Sequence, residues 1–289
     1  MLGQIANAAK GRLTTARNAT QRIGRHSVFA VWLTTAMLQL GSSAFAGPWP
    51  QAEGHGFQIT TFNFLEADSE IGDQNPATGA GTFSRYYLAA YGEYGMRDDI
   101  TLGGSFRIEK LRLNTDSGSQ TVQGVPDVEI FGRKVLWREG NSILSAQATL
   151  IVPTGYDSHA NPALGDGDVG VEPRLMFGHD LMLGAWPGFV DGQAAYRFRL
   201  GQSADQIRID GTFGVHPTPE LMLLLQFYNT ISVENANGYG TDYDLYSAVF
   251  SVVRDITPQW AVQFGVTSEL AGRNYSTGNG LFAAVWWKF

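Results

Sequence analysis

The sequence predicts an all-β protein: a transmembrane antiparallel up-and-down β-barrel of about 12 strands. Three observations carry this reading. After residue 56 the chain repeats one unit, a segment of about 10–14 residues with period-two alternation, then a turn or loop. The connections alternate between short and long. The last nine residues, Leu281-Phe-Ala-Ala-Val-Trp-Trp-Lys-Phe289, form an alternating strand that ends the chain without a polar tail. In a water-soluble sheet such an end invites edge pairing and aggregation, whereas a closed barrel in lipid has no edge.

Residues 1–46 read as a signal peptide. Lys10, Arg12, Arg17, Arg22 and Arg25 precede an apolar run from Val28 to Leu40, and Ala44-Phe45-Ala46 places small residues where a signal peptidase reads them. The run is short of the roughly 20 apolar residues a helical span requires, which disfavours the alternative of an N-terminal anchor. No acidic residue occurs before Glu53. Removing residues 1–46 takes five of the 20 Lys and Arg, leaving 15 against 27 Asp and Glu, a net charge of −12. An acidic chain argues against nucleic acid as a partner, because phosphate binding needs clustered Lys and Arg. The absence of Cys removes disulfides and thiolate metal sites. No apolar run of about 18 residues follows residue 46, so no transmembrane helix is expected there.

Residues 47–56, Gly-Pro-Trp-Pro-Gln-Ala-Glu-Gly-His-Gly, are broken by Gly and Pro and read as an irregular lead-in. The barrel then occupies residues 57–289. Strands are expected near 57–67, 82–96, 100–111, 125–137, 142–154, 167–179, 188–200, 205–215, 220–231, 242–254, 259–271 and 280–289. Crossing a bilayer takes roughly 9–11 tilted strand residues, and bacterial barrels have even strand numbers. Both conditions hold. Connections 97–99, 138–141, 216–219 and 255–258 are short, while 69–81, 113–124, 155–166, 232–241 and 272–279 are longer and rich in Gly, Asn, Asp and Ser. Short inner turns facing long outer loops is the outer-membrane arrangement, with both termini periplasmic. Two connections depart from the rule: 201–204 is short for an outer loop and 180–187 long for an inner turn.

The third strand sets the facing. Ile100, Leu102, Gly104, Phe106 and Ile108 share one face; Thr101, Gly103, Ser105, Arg107 and Glu109 share the other. In a membrane barrel the apolar set meets lipid and the polar set lines the lumen. The same parity makes lumen-lining candidates of Arg85, Glu93, Arg107, Glu109, Asp127, Glu129, Arg133, Glu172, Arg174, Asp191, Arg197, Arg199, Arg208, Asp210 and Glu269, with Lys288 also inward. Charges at mid-membrane on the lipid face would cost roughly 2–4 kcal/mol each for Arg or Lys. Lys134 breaks the rule and falls on the lipid face, where snorkelling from a strand end relieves it. The first strand is ambiguous: Phe57 and Ile59 favour one face, Phe62 and Phe64 the other. Tyr94, Tyr246, Trp260, Trp287 and Phe289 stand where interfacial girdles form.

Two resemblances follow from particular residues. The terminal set Leu281, Ala283, Val285, Trp287 and Phe289 resembles the assembly signal of Gram-negative outer-membrane barrels. That resemblance implies barrel-assembly machinery and outer-membrane lipid as partners. Ile151-Val-Pro-Thr-Gly-Tyr156 with Gly165-Asp-Gly-Asp-Val-Gly-Val-Glu-Pro-Arg-Leu-Met-Phe177 resembles a recurrent feature of the family named for the meta-pathway of phenol degradation, whose members resemble transporters for small organic compounds. It implies an outer-membrane, transport-like role. Physically, Pro153 ends a strand and Gly155 permits a turn.

Other motifs weigh little. Gly165-Asp-Gly-Asp168 lacks the six to eight ordered oxygen ligands of a calcium loop, so no metal is expected. Ser158, His159 and Asn161 resemble the Ser/His/Asn set of membrane-embedded lipases but sit together in one loop, whereas catalysis needs a nucleophile and base converging in space. No cofactor motif occurs and no enzyme is expected. The expectation is a porin-like channel or transporter in the outer membrane of a Gram-negative bacterium, passing small solutes, with hydrophobic or aromatic compounds among the candidates. The alternatives are a structural or binding barrel with an occluded lumen and, less favoured, a lipid-modifying enzyme.

Overall fold

The structure is a computed structural model that describes residues 47–68, 81–116, 118–233, 242–275 and 277–289. The expected signal peptide, and most of the outer loops expected at 69–81 and 232–241, lie outside the described residues. The described chain is strand and connection: β1 (Gly56–Asp68), β2 (Gly81–Arg97), β3 (Ile100–Thr115), β4 (Gly118–Gly124), β5 (Val128–Glu139), β6 (Ser142–Val152), β7 (Gly170–Leu183), β8 (Trp186–Arg199), β9 (Gln206–Thr218), β10 (Leu221–Ser232), β11 (Asp244–Asp255), β12 (Trp260–Arg273) and β13 (Gly278–Lys288). Apart from β4 and β5, which both pair with β3, each strand pairs antiparallel with its sequence neighbours, and β1 pairs β13 from Phe57↔Lys288 to Ala67↔Gly278, closing the ring. Closure satisfies every ladder without an edge, the condition for a sheet to span lipid.

Thirteen segments make twelve wall positions. The strand expected at 125–137 and the loop expected at 113–124 need correction. β3 runs on to Thr115 and turns into β4, pairing Glu109↔Gly124 through Thr115↔Gly118. The wall then breaks at Val125-Pro126-Asp127, and β5 takes over on the same edge of β3, from Ser105↔Glu129 to Ile100↔Lys134. Pro126 has no N–H to donate to the ladder, which is the physical reason for the break.

The long inner turn expected at 180–187 is also corrected. Leu181, Met182, Leu183 and Trp186 continue the strands, so only Gly184-Ala185 remains between the paired Leu183 and Trp186. Gly184 takes φ +64°, a left-handed conformation that glycine adopts without strain. Connections at 98–99, 140–141, 184–185, 219–220 and 256–259 therefore all sit at one end, with the lead-in and Phe289. The connection between β8 and β9 stays short for the opposite end.

Side-chain exposure follows the predicted parity. Leu102, Phe106, Ile130, Leu175, Ile209, Phe250, Phe264 and Leu281 are exposed, while Thr101, Arg133, Glu172 and Ser251 are buried. An apolar belt around the whole circumference far exceeds the patches soluble monomers tolerate, and lipid is the solvent that accommodates it. In β1, Phe57 and Leu65 point inward and Phe62 outward, which resolves the ambiguity. Lys134 is exposed on the outer face. At the short-turn end Tyr94, Trp137, Trp186, Trp260, Trp287 and Phe289 are exposed, with Trp260 stacked on Trp287 at 6.1 Å. These are the placements of an interfacial girdle. Phe264 lies mid-strand opposite Ala283. Replacing it with Arg is expected to destabilise the barrel by roughly 2–4 kcal/mol in reversible unfolding from liposomes, against little change for Phe264→Leu.

Candidate functional site: the barrel interior

The inward positions build two layers. At the short-turn end the layer is apolar: Phe57, Phe189, Met222, Leu224, Val253, Ala261, Ala284 and Trp286 form a buried cluster, with Trp49, Ile59 and Tyr91 packed against it. Trp286 Nε1 donates to Gln263 Oε1 at 2.9 Å, so the indole is satisfied inside the wall.

The lead-in is part of this layer. Pro48 C=O accepts from Ser145 Oγ at 2.6 Å, Trp49 C=O from Arg133 Nη2 at 3.1 Å, and Gln51 N–H donates to Thr101 Oγ1 at 2.9 Å. The Trp49 ring meets Phe189 edge-on at 5.4 Å. Gly178 makes room for it: a Cβ there would stand 2.5 Å from Pro48 Cγ and 2.7 Å from the Trp49 ring. Residues 48–51 thus lie inside the barrel at the short-turn end, docked on β3, β5, β6, β7 and β8. Beneath them lies the most buried charge pair of the barrel, Arg133 with Glu93, whose carboxylate also accepts from Tyr91 Oη at 2.5 Å and Gln51 Nε2 at 3.1 Å. The irregular sequence of the lead-in, with no period to read, gives no sign of this docking.

Above the apolar layer the interior is charged and hollow. A cavity of about 670 Å³ is lined by Arg85, Arg107, Asp127, Glu129, Arg133, Glu172, Arg174, Arg197, Arg199, Arg208 and Asp210 among the predicted candidates. Glu93, Glu109 and Asp191 are inward and buried behind that surface, and Glu269 likewise, its carboxylate accepting from Gly278 N–H at 2.9 Å. Lys288 pairs with Asp255 at 2.8 Å near the short-turn end. On β7–β9 the charges form a ladder. Arg174 bridges Glu172 at 2.8 Å and Asp210 at 2.5 Å; Arg197 bridges Glu172 at 2.8 Å and Glu129 at 3.0 Å. Arg199 pairs with Asp166 and Arg107 with Glu109 at 2.9 Å. Guanidinium–carboxylate pairs, within a strand or between strands, are satisfied inside a wall where an isolated charge would be costly.

The connection 153–169 folds toward the lumen. Its Leu164 is buried, Ala163, Gly165 and Asp166 line the cavity, and Tyr156 Oη donates to Asp127 at 2.6 Å while accepting from Gly167 N–H at 3.0 Å. Burial, then this hydrogen bond to Asp127, pushes the Tyr156 hydroxyl above its ordinary range, so it remains a donor at neutral pH. Tyr243 and Tyr275 line the same cavity, their rings 5.4 Å apart. Sequence parity could not find these loop residues, because a loop has no period. Ser158 and His159 do not form a dyad: His159 leans on Asp157, Nδ1 to Oδ1 at 3.7 Å, and both are exposed. Among the described residues no group of three or more His, Cys, Asp or Glu is placed to hold a metal ion.

A closed twelve-position ring with an apolar outside, a charged inside and an aromatic girdle at the short-turn end defines the fold of the Gram-negative outer-membrane barrels. The sequence over residues 43–285 matches the family model described as "Putative MetA-pathway of phenol degradation", and the chain belongs to that family. Among solved structures, an outer-membrane channel from Pseudomonas putida F1 superposes with a TM-score of 0.62 at 18% identity, covering 86% of this chain and 100% of that one. The NanC porin superposes with a TM-score of 0.49 at 10% identity, covering 80% and 100%. No curated protein matches the sequence.

Proposed function

We propose that this protein is an outer-membrane channel or transporter that passes small solutes, hydrophobic or aromatic compounds among them, through the barrel interior. The observation that carries the reading is the hollow charged cavity of about 670 Å³ inside the wall, a size in the range of small-molecule sites. The family's description and the fold shared with an outer-membrane channel support it. A second reading, an occluded binding barrel, is favoured by one specific observation, the seating of Pro48 and Trp49 across the short-turn end. The two readings differ in whether residues 48–51 leave their seat. The lipid-facing positions of Leu281, Val285, Trp287 and Phe289 support the terminal strand, with Ala283, as the signal read by the assembly machinery.

Single-channel recording of the folded full chain in a planar bilayer tests the proposal. Steady conductance is expected. Arg107→Ala is expected to shift ion selectivity toward cations and Glu129→Ala toward anions, because each removes one sign of fixed charge from the cavity wall. A well-folded barrel that stays silent under all conditions would establish the occluded reading instead.

A further inference from the structure

We infer that the cavity holds a binding site for small aromatic carboxylates, built from two arginines on opposite walls that make no ion pair among the described residues. This deepens the channel reading and rests on it for its biological role, though not for its chemistry. The case begins with the pairing of charges. Five acidic residues line the cavity, Asp127, Glu129, Asp166, Glu172 and Asp210. All are engaged: Glu172 and Asp210 by Arg174, Glu172 and Glu129 by Arg197, Asp166 by Arg199, and Asp127 by the Tyr156 hydroxyl. Seven arginines line the same cavity. Five of them spend their charge on carboxylates, counting Arg133 on Glu93 and Arg107 on Glu109.

Arg85 and Arg208 remain. Neither makes an ion pair among the described residues, which separates them from Arg133 and Arg199; the Nε of each is, like theirs, buried without a hydrogen-bond partner. Arg85 Nη2 donates to the neutral Tyr275 hydroxyl at 2.9 Å, and its guanidinium lies 5.7 Å over the Phe83 ring. The acids nearest Arg85 are committed elsewhere: Glu109 to Arg107, and Glu269 to Gly278 N–H. Buried guanidinium donors without acceptors cost free energy, and an anionic ligand between them supplies the missing acceptors. An arginine retained in this state therefore points to such a ligand.

Position and surroundings narrow its class. Arg85 is on β2 and Arg208 on β9, six of the twelve wall positions apart in either direction, so they face one another across the lumen. Tyr91 and Phe131, stacked at 5.9 Å, line the cavity between wall and apolar layer, with Tyr228, Tyr275 and Met176 on the same surface. Planar guanidinium forks match a carboxylate, and aromatic and thioether walls match a ring. Simple inorganic anions would leave the aromatic surface unused; uncharged rings would leave both arginines unanswered.

The test is calorimetric titration of the folded full chain in nanodiscs with benzoate, benzyl alcohol and benzylamine, which share a ring and differ in charge. Benzoate is expected to bind at one site, about tenfold more tightly than benzyl alcohol, with benzylamine weakest. Arg85→Gln and Arg208→Gln are each expected to lower benzoate affinity about tenfold and to erase its preference over the alcohol. Arg208→Lys, which keeps the charge without the fork, is expected to fall between, and serves where Arg208→Gln does not fold. Equal affinity for benzoate and benzyl alcohol, no binding of any of the three, or benzoate binding indifferent to both arginines would overturn the inference. Bilayer recording separates it from the channel reading: benzoate binding in a non-conducting barrel leaves the site standing and removes the channel.

Discussion

Deleting residues 48–51 from the mature chain is expected to raise single-channel conductance severalfold while leaving the barrel folded. Residues 48–51 lie inside the barrel, but they are held by three backbone hydrogen bonds, from Ser145 and Arg133 to the Pro48 and Trp49 carbonyls and from Gln51 N–H to Thr101, and by the edge-on contact of Trp49 with Phe189. None of these belongs to the wall ladder, which closes through β1 and β13 from Phe57↔Lys288 onward. Removing the segment clears the bore without opening the sheet. Its loss also leaves Ser145, Thr101 and Gly178 facing water, which polar and small residues tolerate. Trp49→Ala is expected to give a smaller rise, since the backbone bonds persist. Unchanged conductance in the deletion would mean that the apolar cluster of Phe57, Phe189, Met222 and Trp286, rather than the lead-in, is the barrier.

Glu93→Ala is expected to be the most destabilising single change in the interior, by about 3–5 kcal/mol in urea unfolding from liposomes. Arg133 and Glu93 are almost wholly removed from solvent, and Arg133 keeps two further guanidinium nitrogens buried without partners. Deleting the carboxylate strands a buried cation among Trp49, Tyr91 and Phe131 without its ion-pair partner. The same change removes the acceptor for Gln51, so the lead-in loosens and conductance rises along with the loss of stability. Removing both charges with Glu93→Leu and Arg133→Met is expected to restore much of the stability, because the main cost lies in the unpaired cation. Glu129→Ala should cost less: its carboxylate is about a third exposed to the cavity and Arg197 keeps Glu172.

The division between sequence and tertiary structure in this protein follows the reach of each force. Periodicity is local, and a strand with lipid on one side and a lumen on the other must alternate. Leu102 outside and Thr101 inside, Phe264 outside and Gln263 inside, were therefore legible residue by residue, as was the strand number. Where two faces are both apolar the signal fails. Phe57 and Phe62 point opposite ways, and only closure of β1 on β13, with Phe57 in the buried cluster beside Trp286 at 6.0 Å, decides between them. Pro126 marked a break, but that β4 and β5 share one edge of β3 depends on a register that no local pattern encodes.

The interior itself belonged to tertiary structure. Alternation assigns a charge to the lumen without naming its partner, since Arg174 on β7 reaches Asp210 on β9, and Arg197 on β8 reaches Glu129 on β5, between strands that do not neighbour one another. Residues 48–51 and 153–169 have no period to read, so their entry into the barrel rests wholly on hydrogen bonds made across long sequence separations, Ser145 to Pro48 and Tyr156 to Asp127. The sequence by itself determined that this chain makes a lipid-facing barrel with a charged inside. Only the assembled ring decided which charges neutralise one another, that the lead-in docks inside one end, and that Arg85 and Arg208 stand on opposite walls, each with an Nε unpartnered among the described residues.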